Sequence, residues 1–138
     1  MKKIMIFLCV LLLTGCFGEE SRGHLTNRCV KVIETESLKD ETIYEIKFIQ
    51  DIIENIKIIH NYEGDKTTID SIKQSHESQV RFYERNNVRV ESTNNDIYTI
   101  TYNIDMSMLT NEIREKFNLL EERSKLVLSL EKDGYKCE

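Results

Sequence analysis

The chain has 138 residues, with 19 Lys and Arg against 24 Asp and Glu, a formal net charge of −5 at neutral pH. That length suits one domain, and an acidic balance without a basic stripe argues against nucleic acid as a partner. Proline, alanine and tryptophan are absent, and isoleucine and asparagine are abundant.

The chain opens with Lys2 and Lys3, followed by an unbroken apolar run over residues 4–13 and then by Thr14, Gly15 and Cys16. Positive start, short apolar run and small residues form the layout of a secretory signal peptide. The run is about half of the roughly 20 residues that cross a bilayer core as a helix, so removal of the leader is expected. Leu13-Thr14-Gly15-Cys16 resembles the bacterial lipobox, whose cysteine receives lipid and becomes the first mature residue. The alternative is a plain signal peptide with Cys16 incidental. On the lipobox reading, residues 1–15 are a lipoprotein signal peptide, 16–28 a lipidated polar tether and 29–138 a single α+β domain. The expected address is the extracytoplasmic face of a cell membrane, reached through lipid on Cys16. Loss of Lys2 and Lys3 leaves 17 basic against 24 acidic residues, a formal charge of −7. Such a body is repelled by anionic headgroups, so lipid alone would hold it.

Residues 29–36 alternate well enough for a strand, and residues 38–41 read as a polar turn. Residues 42–49 alternate more cleanly, with Tyr44, Ile46 and Phe48 on one face and Glu45 and Lys47 on the other. Gln50-Asp51 turns the chain into a third strand over 53–62, with Ile56, Ile58, His60 and Tyr62 together. Strict alternation marks a sheet with one buried face. After Gly64-Asp65, Thr67 or Thr68 is the expected cap of a helix, with Asp70 in its first turn. Ile69, Ile72, His76, Val80 and Tyr83 draw one stripe on that helix, while Lys73, Glu77, Arg81 and Glu84 face outward. Asn86-Asn87 stops it. Residues 88–91 and 96–104 read as strands joined at Asn94-Asn95, the second with Tyr98, Ile100, Tyr102 and Ile104 on one face. Residues 108–117 and 121–132 read as helix, ended by Gly134. The order β-β-β-α-β-β-α predicts an α+β domain: an antiparallel sheet of about five strands with helices packed on one face.

Cys9 leaves with the leader. Cys29 and Cys137 lie at opposite ends of the expected domain, and an exported protein meets oxidising surroundings. A disulfide between them would close a loop of more than 100 residues. In the chain-entropy account that contributes roughly 4–5 kcal/mol, a large share of the ~5–15 kcal/mol of a typical domain. Two free or buried thiols are the alternative.

No catalytic constellation stands out. His24 lies in the tether. His60 and His76 fall on inward faces, where packed histidines are the simpler reading and a meeting between sheet and helix the sharper one. No zinc spacing is present, and no metal or other cofactor is expected. Ser71, Ser75 and Ser78 lack a nucleophile elbow. Glu19-Glu20 and Glu121-Glu122 read as solvated surface, and Asn94, Asn95 and Asp96 as a hairpin turn rather than a calcium loop. Tyr44, Tyr62, Tyr98 and Tyr102 fit core and cross-strand pairs better than a groove.

Several features together resemble the YehR-type small bacterial lipoproteins, a family of uncharacterised function. They are the lipobox, the hairpin over 44–62, the long amphipathic helix, the 98–104 strand and the closing Gly134-Tyr135-Lys136-Cys137-Glu138. The resemblance implies the α+β fold and the lipid anchor, and it brings no catalytic residues. The expectation is therefore a membrane-anchored, non-enzymatic binding module of the cell envelope. Its partner would be an envelope protein or a small ligand, bound on the sheet face left open by the helices, near Lys47, Lys57 and Thr99. The alternatives are an envelope enzyme or enzyme inhibitor with a site assembled in the fold, and a metal or small-molecule scavenger.

Overall fold

The structure, a computed structural model, describes residues 23–138. The expected signal peptide, Cys16 and most of the expected tether lie outside the described residues. β1 (Leu25–Glu34), β2 (Leu38–Ile49) and β3 (Ile52–Gly64) form an antiparallel meander. α1 (Lys66–Arg85) leads to a hairpin of β4 (Val88–Asn94) and β5 (Tyr98–Asp105). A 3-10 turn (Met106–Met108), α2 (Asn111–Phe117), α3 (Arg123–Lys132) and β6 (Lys136–Cys137) complete the order. The strands make one six-stranded antiparallel sheet in the order β4-β5-β3-β2-β1-β6. This is the α+β architecture that the alternation predicts, with β6 as a short sixth strand. No described helix is long and apolar enough to cross a membrane.

One row of the helix-covered face is aliphatic on each of four neighbouring strands. Ile46, Ile56, Ile104 and Val88 stand directly opposite one another across β2, β3, β5 and β4. Each is at most 2% exposed, and Ile113, Leu119 and Leu126 from the helical segments belong to the same core. Full burial of one such side chain contributes roughly 1.5–3 kcal/mol.

The helix boundaries follow local hydrogen bonding. Asp65, not Thr67 or Thr68, caps α1: its carboxylate accepts from the Thr68 backbone N–H at 3.0 Å and from the Thr68 hydroxyl at 2.7 Å. The threonine is thus the partner of the cap. These bonds hold the Asp65 carboxyl below its ordinary pKa, the hydroxyl contributing most. Gly64 is required just before it, because a Cβ there would lie 2.5 Å from the Ser37 carbonyl oxygen. Asn118, left-handed at φ 49° after α2, divides the helical segments expected over 108–117 and 121–132. α3 is capped from outside: Glu122 makes no side-chain cap bond. Instead the Asp51 carboxylate accepts from the Ser124 N–H at 2.9 Å and from its hydroxyl at 2.6 Å.

The ends of β3, β4 and β5 depart from expectation by one to three residues, and the starts of β2 and β1 by four. Residues 38–41, read as a polar turn, open β2; the turn lies at residues 35–37. Leu38 pairs with Gly64 and Asp40 with Tyr62, so β3 supplies a partner for every residue of this polar stretch. Likewise β1 starts at Leu25 rather than Cys29, which takes residues 25–28 out of the expected tether. Leu25 pairs with Phe48 and Asn27 with Ile46, and the long β2 thereby gains a neighbour near its end. Tertiary pairing overrides local polarity at both places.

Cys29 and Cys137 form a disulfide across a sequence separation of 108. Arg28 and Glu138 exchange backbone bonds at 2.9 and 3.0 Å. The next pair along, Cys29 opposite Cys137, is therefore a non-hydrogen-bonded pair, the position where antiparallel side chains approach most closely. Gly134, at φ +92°, turns the chain from α3 into β6, and the Lys31 ammonium donates to the Asp133 carbonyl at 2.7 Å beside it.

Candidate functional site

Lys47, Lys57 and Thr99 do lie on the open face of the sheet, on the side opposite the helices. Its polar groups largely satisfy one another. Lys57 Nζ is 3.7 Å from a Glu45 carboxylate oxygen. The Thr99 hydroxyl donates to Asn61 at 2.9 Å, and the Asn61 amide donates to Glu41 at 2.8 Å, a ladder across three strands. Beneath this shell Ile43 is only 5% exposed. The stems of long charged side chains commonly cover aliphatic surface in this way.

The helix side is different away from the aliphatic row. Thr42, His60 and Ile100 form one transverse row, and Asp40, Tyr62 and Tyr98 the next. His60 Nδ1 is 3.1 Å from the Thr42 hydroxyl and 3.8 Å from the Asp40 carboxylate. Its ring lies parallel to Tyr62 at 5.8 Å, and Tyr62 stacks on Tyr98 at 6.4 Å. Burial, with the Asp40 charge adding, pushes the Tyr62 hydroxyl up to about 12, so it is un-ionised at neutral pH.

α1 lowers His76 onto these rings. His76 packs edge-on against Tyr98 and Tyr102, and its Nδ1 is 3.5 Å from the Tyr102 hydroxyl. It is 6% exposed. Burial holds its pKa below the ordinary histidine value, opposed by Glu77 and reinforced by His60. The imidazole is therefore neutral at pH 7.

Between α1 and the sheet is a cleft of about 370 Å³, walled by Ser71, Ser75, His76 and Gln79 and floored by Tyr62, Ile100 and Tyr102. Ser71, Ser75 and Gln79 recur every four residues, which puts them along one edge of the helix. The Gln79 carbonyl accepts from Tyr83 at 3.4 Å. Among the described residues, the hydroxyls of Ser71, Ser75 and Tyr62 and the His76 Nε2 make no hydrogen bond to protein, and none is a buried unpaired atom; those are Asn27 Oδ1 and Arg123 Nε. Among the described residues, no Ser hydroxyl is hydrogen-bonded to a histidine, the arrangement that activates a nucleophile. Among the described residues, no three His, Cys, Asp or Glu side chains converge as metal ligands.

The structure thus brings His60 and His76 to one file of tyrosines, and leaves His24 apart, 2.7 Å from Glu54. Tyr44, Tyr98 and Tyr102 are buried core, as pairs on a sheet should be, and Tyr62 and Tyr102 also border the cleft. Cys29 and Cys137 sit in the disulfide. Sequence reasoning missed the wall of the cleft. The signal was present: Ser71, Ser75 and Gln79 run beside the apolar stripe where a helix lying flat on a sealed core would carry more aliphatic residues.

No protein-family model matches the chain, and comparison with curated proteins gives no match. Among solved structures, the chain is similar to the NMR structure of a protein from Streptococcus pneumoniae TIGR4. The TM-score is 0.55 at 13% identity, covering 91% of this chain and 92% of that one. At that identity the likeness concerns the fold.

Proposed function

We propose that this chain is a lipid-anchored extracytoplasmic protein of the YehR type whose domain binds a small molecule without transforming it. The cleft under α1 is the proposed site. The observation that carries this reading is the cleft itself: about 370 Å³ between α1 and the sheet, lined by His76, Ser71, Ser75, Gln79 and Tyr62. Polar side chains that face such a cleft can hydrogen-bond a ligand there. The open face is the less favoured binding surface, because several of its polar groups, Lys57 with Glu45 and Thr99 with Asn61 and Glu41, already pair with one another. The Leu13-Thr14-Gly15-Cys16 stretch supports the anchor, and the Cys29–Cys137 disulfide fits an oxidising compartment.

Two measurements test the proposal. The full chain, expressed in a bacterium fed labelled palmitate, should take up label and partition with membranes, and Cys16→Ser should abolish both. Unlabelled wild type would end the anchor reading. Native mass spectrometry of the full chain released gently from membranes should show a retained small adduct that Ser75→Leu eliminates. An adduct that survives this substitution would place binding elsewhere, and a bare chain would count against small-molecule binding.

A further inference from the structure

We infer that the cleft under α1 takes an uncharged, hydroxyl-rich ligand the size of a single sugar ring. The inference rests on that cleft being the binding site. The lining chemistry selects the class. The hydroxyls of Ser71, Ser75, Tyr62 and Tyr102 each donate and accept, and the Gln79 amide offers both roles as well. Groups of that kind are matched by ligand groups that also do both, which means hydroxyls before carboxylates or ammonium groups. A sugar ring presents hydroxyls around its rim and C–H bonds on its face. Ile72 and Ile100 give the cleft the apolar surface that such a face needs.

Charge argues the same way. No lining side chain carries a formal charge at pH 7: His76 is held neutral and Tyr62 is un-ionised. An anionic ligand would shed its water with no countercharge to receive it, which is costly. The flanking charges include Asp40, beside His60, Glu77, whose charge acts on His76, and Lys73, whose ammonium lies 5.7 Å from the Tyr98 ring centre. Both signs are present, and none of the three lines the cleft. Size sets the remaining limit, since about 370 Å³ is near the lower end of ligand cavities and has room for one ring rather than a chain.

The test uses the detergent-solubilised full chain and four probes: glucose and N-acetylglucosamine, and their charged counterparts glucuronate and glucosamine. Saturation-transfer NMR and calorimetry should show one or both neutral probes binding with a dissociation constant on the order of 1 mM, a reasonable affinity for so few ligand atoms. Each charged counterpart should bind at least about tenfold more weakly. Tyrosine emission, unobscured by tryptophan, should change with the neutral probes. Ser75→Leu fills the cleft from an exposed helical position with a good helix former, so it should weaken binding at least about tenfold and leave Tm unchanged. Gln79→Ala should weaken binding without filling space. Equal or tighter binding of glucuronate or glucosamine overturns the inference, as does no neutral binding at about 50 mM, far above the affinity such a ligand should reach. If sugars fail while a retained adduct is lost in Ser75→Leu, the ligand class is wrong and the binding site stands. If both fail, both readings fall.

Discussion

Two halves of one sheet face are built differently. In one, Ile46, Ile56, Ile104 and Val88 meet Ile113, Leu119 and Leu126 in a core without a polar side chain among them. In the other, Asp40, Thr42, His60, Tyr62 and Tyr98 stand on the same strands four to six residues farther along, under a helix edge of Ser71, Ser75 and Gln79. Backbone geometry is shared, since each strand simply runs from one half into the other. Side chains alone separate a sealed region from an open one. Stability should therefore concentrate in the first half and ligand contact in the second. Between them runs a row holding Cys137, Cys29, Tyr44, Ile58, Tyr102 and Val90.

The largest effect is expected in that middle row. Replacing both Cys29 and Cys137 by serine should remove about 4–5 kcal/mol in urea unfolding, as for a closed loop of this length. A loss below about 1 kcal/mol would mean that β6 holds without the disulfide. Next comes Ile56→Ala in the sealed half, which should cost about 3 kcal/mol, within the range for fully buried large-to-small changes. A small loss there would erase the difference between the halves. His76→Leu, in the open half, should change stability at pH 7 by less than about 1.5 kcal/mol, because volume is nearly kept and an unengaged nitrogen is lost.

That substitution also has a pH signature. Burial, above all, depresses the His76 pKa in the folded state, so the unfolded chain takes up a proton first as pH falls. Stability from His76 is complete above about pH 6.5 and declines below it, until the lower folded pKa is reached. His76→Leu should remove this decline and leave the carboxylate-driven loss nearer pH 4, where Asp51, Asp65 and Asp105 hold depressed pKa values through their serine and threonine partners. An unchanged slope between pH 6.5 and 5 would show that His76 titrates normally. The smallest effect belongs to the open face. Lys57→Ala breaks an exposed pair with Glu45 and should alter stability by no more than about 0.5 kcal/mol.

Much of the fold was legible where periodicity was clean. Tyr44, Ile46 and Phe48 alternate as β2 requires, Tyr98 to Ile104 as β5 requires, and the stripe Ile69, Ile72, His76, Val80, Tyr83 locates α1 within three residues. Boundaries failed where a distant partner decides. Leu38-Lys39-Asp40-Glu41 looks like a turn until Gly64, Glu63, Tyr62 and Asn61 stand opposite it. Asp51 caps α3 from a turn seventy-three residues earlier in the chain, which no local pattern can announce. For the site, the inward direction of His60 and His76 was readable from period alone. Their meeting at one file of rings was not, because it depends on β5 pairing with β3 and on where α1 crosses them. The serines at positions 71 and 75 were weighed only as nucleophiles, so their place on a cleft wall went unread.

The disulfide also changes what a protease can achieve. Cys29 and Cys137 make the stretch between them a covalent ring. One cut in any exposed turn, such as residues 35–37 or 95–97, opens the ring but frees no fragment. Both pieces remain joined to Cys29, and through it to the segment that carries Cys16. On the proposed anchoring, shedding the domain takes a cut upstream of Cys29, where, among the described residues, only 23 and 24 lie outside β1.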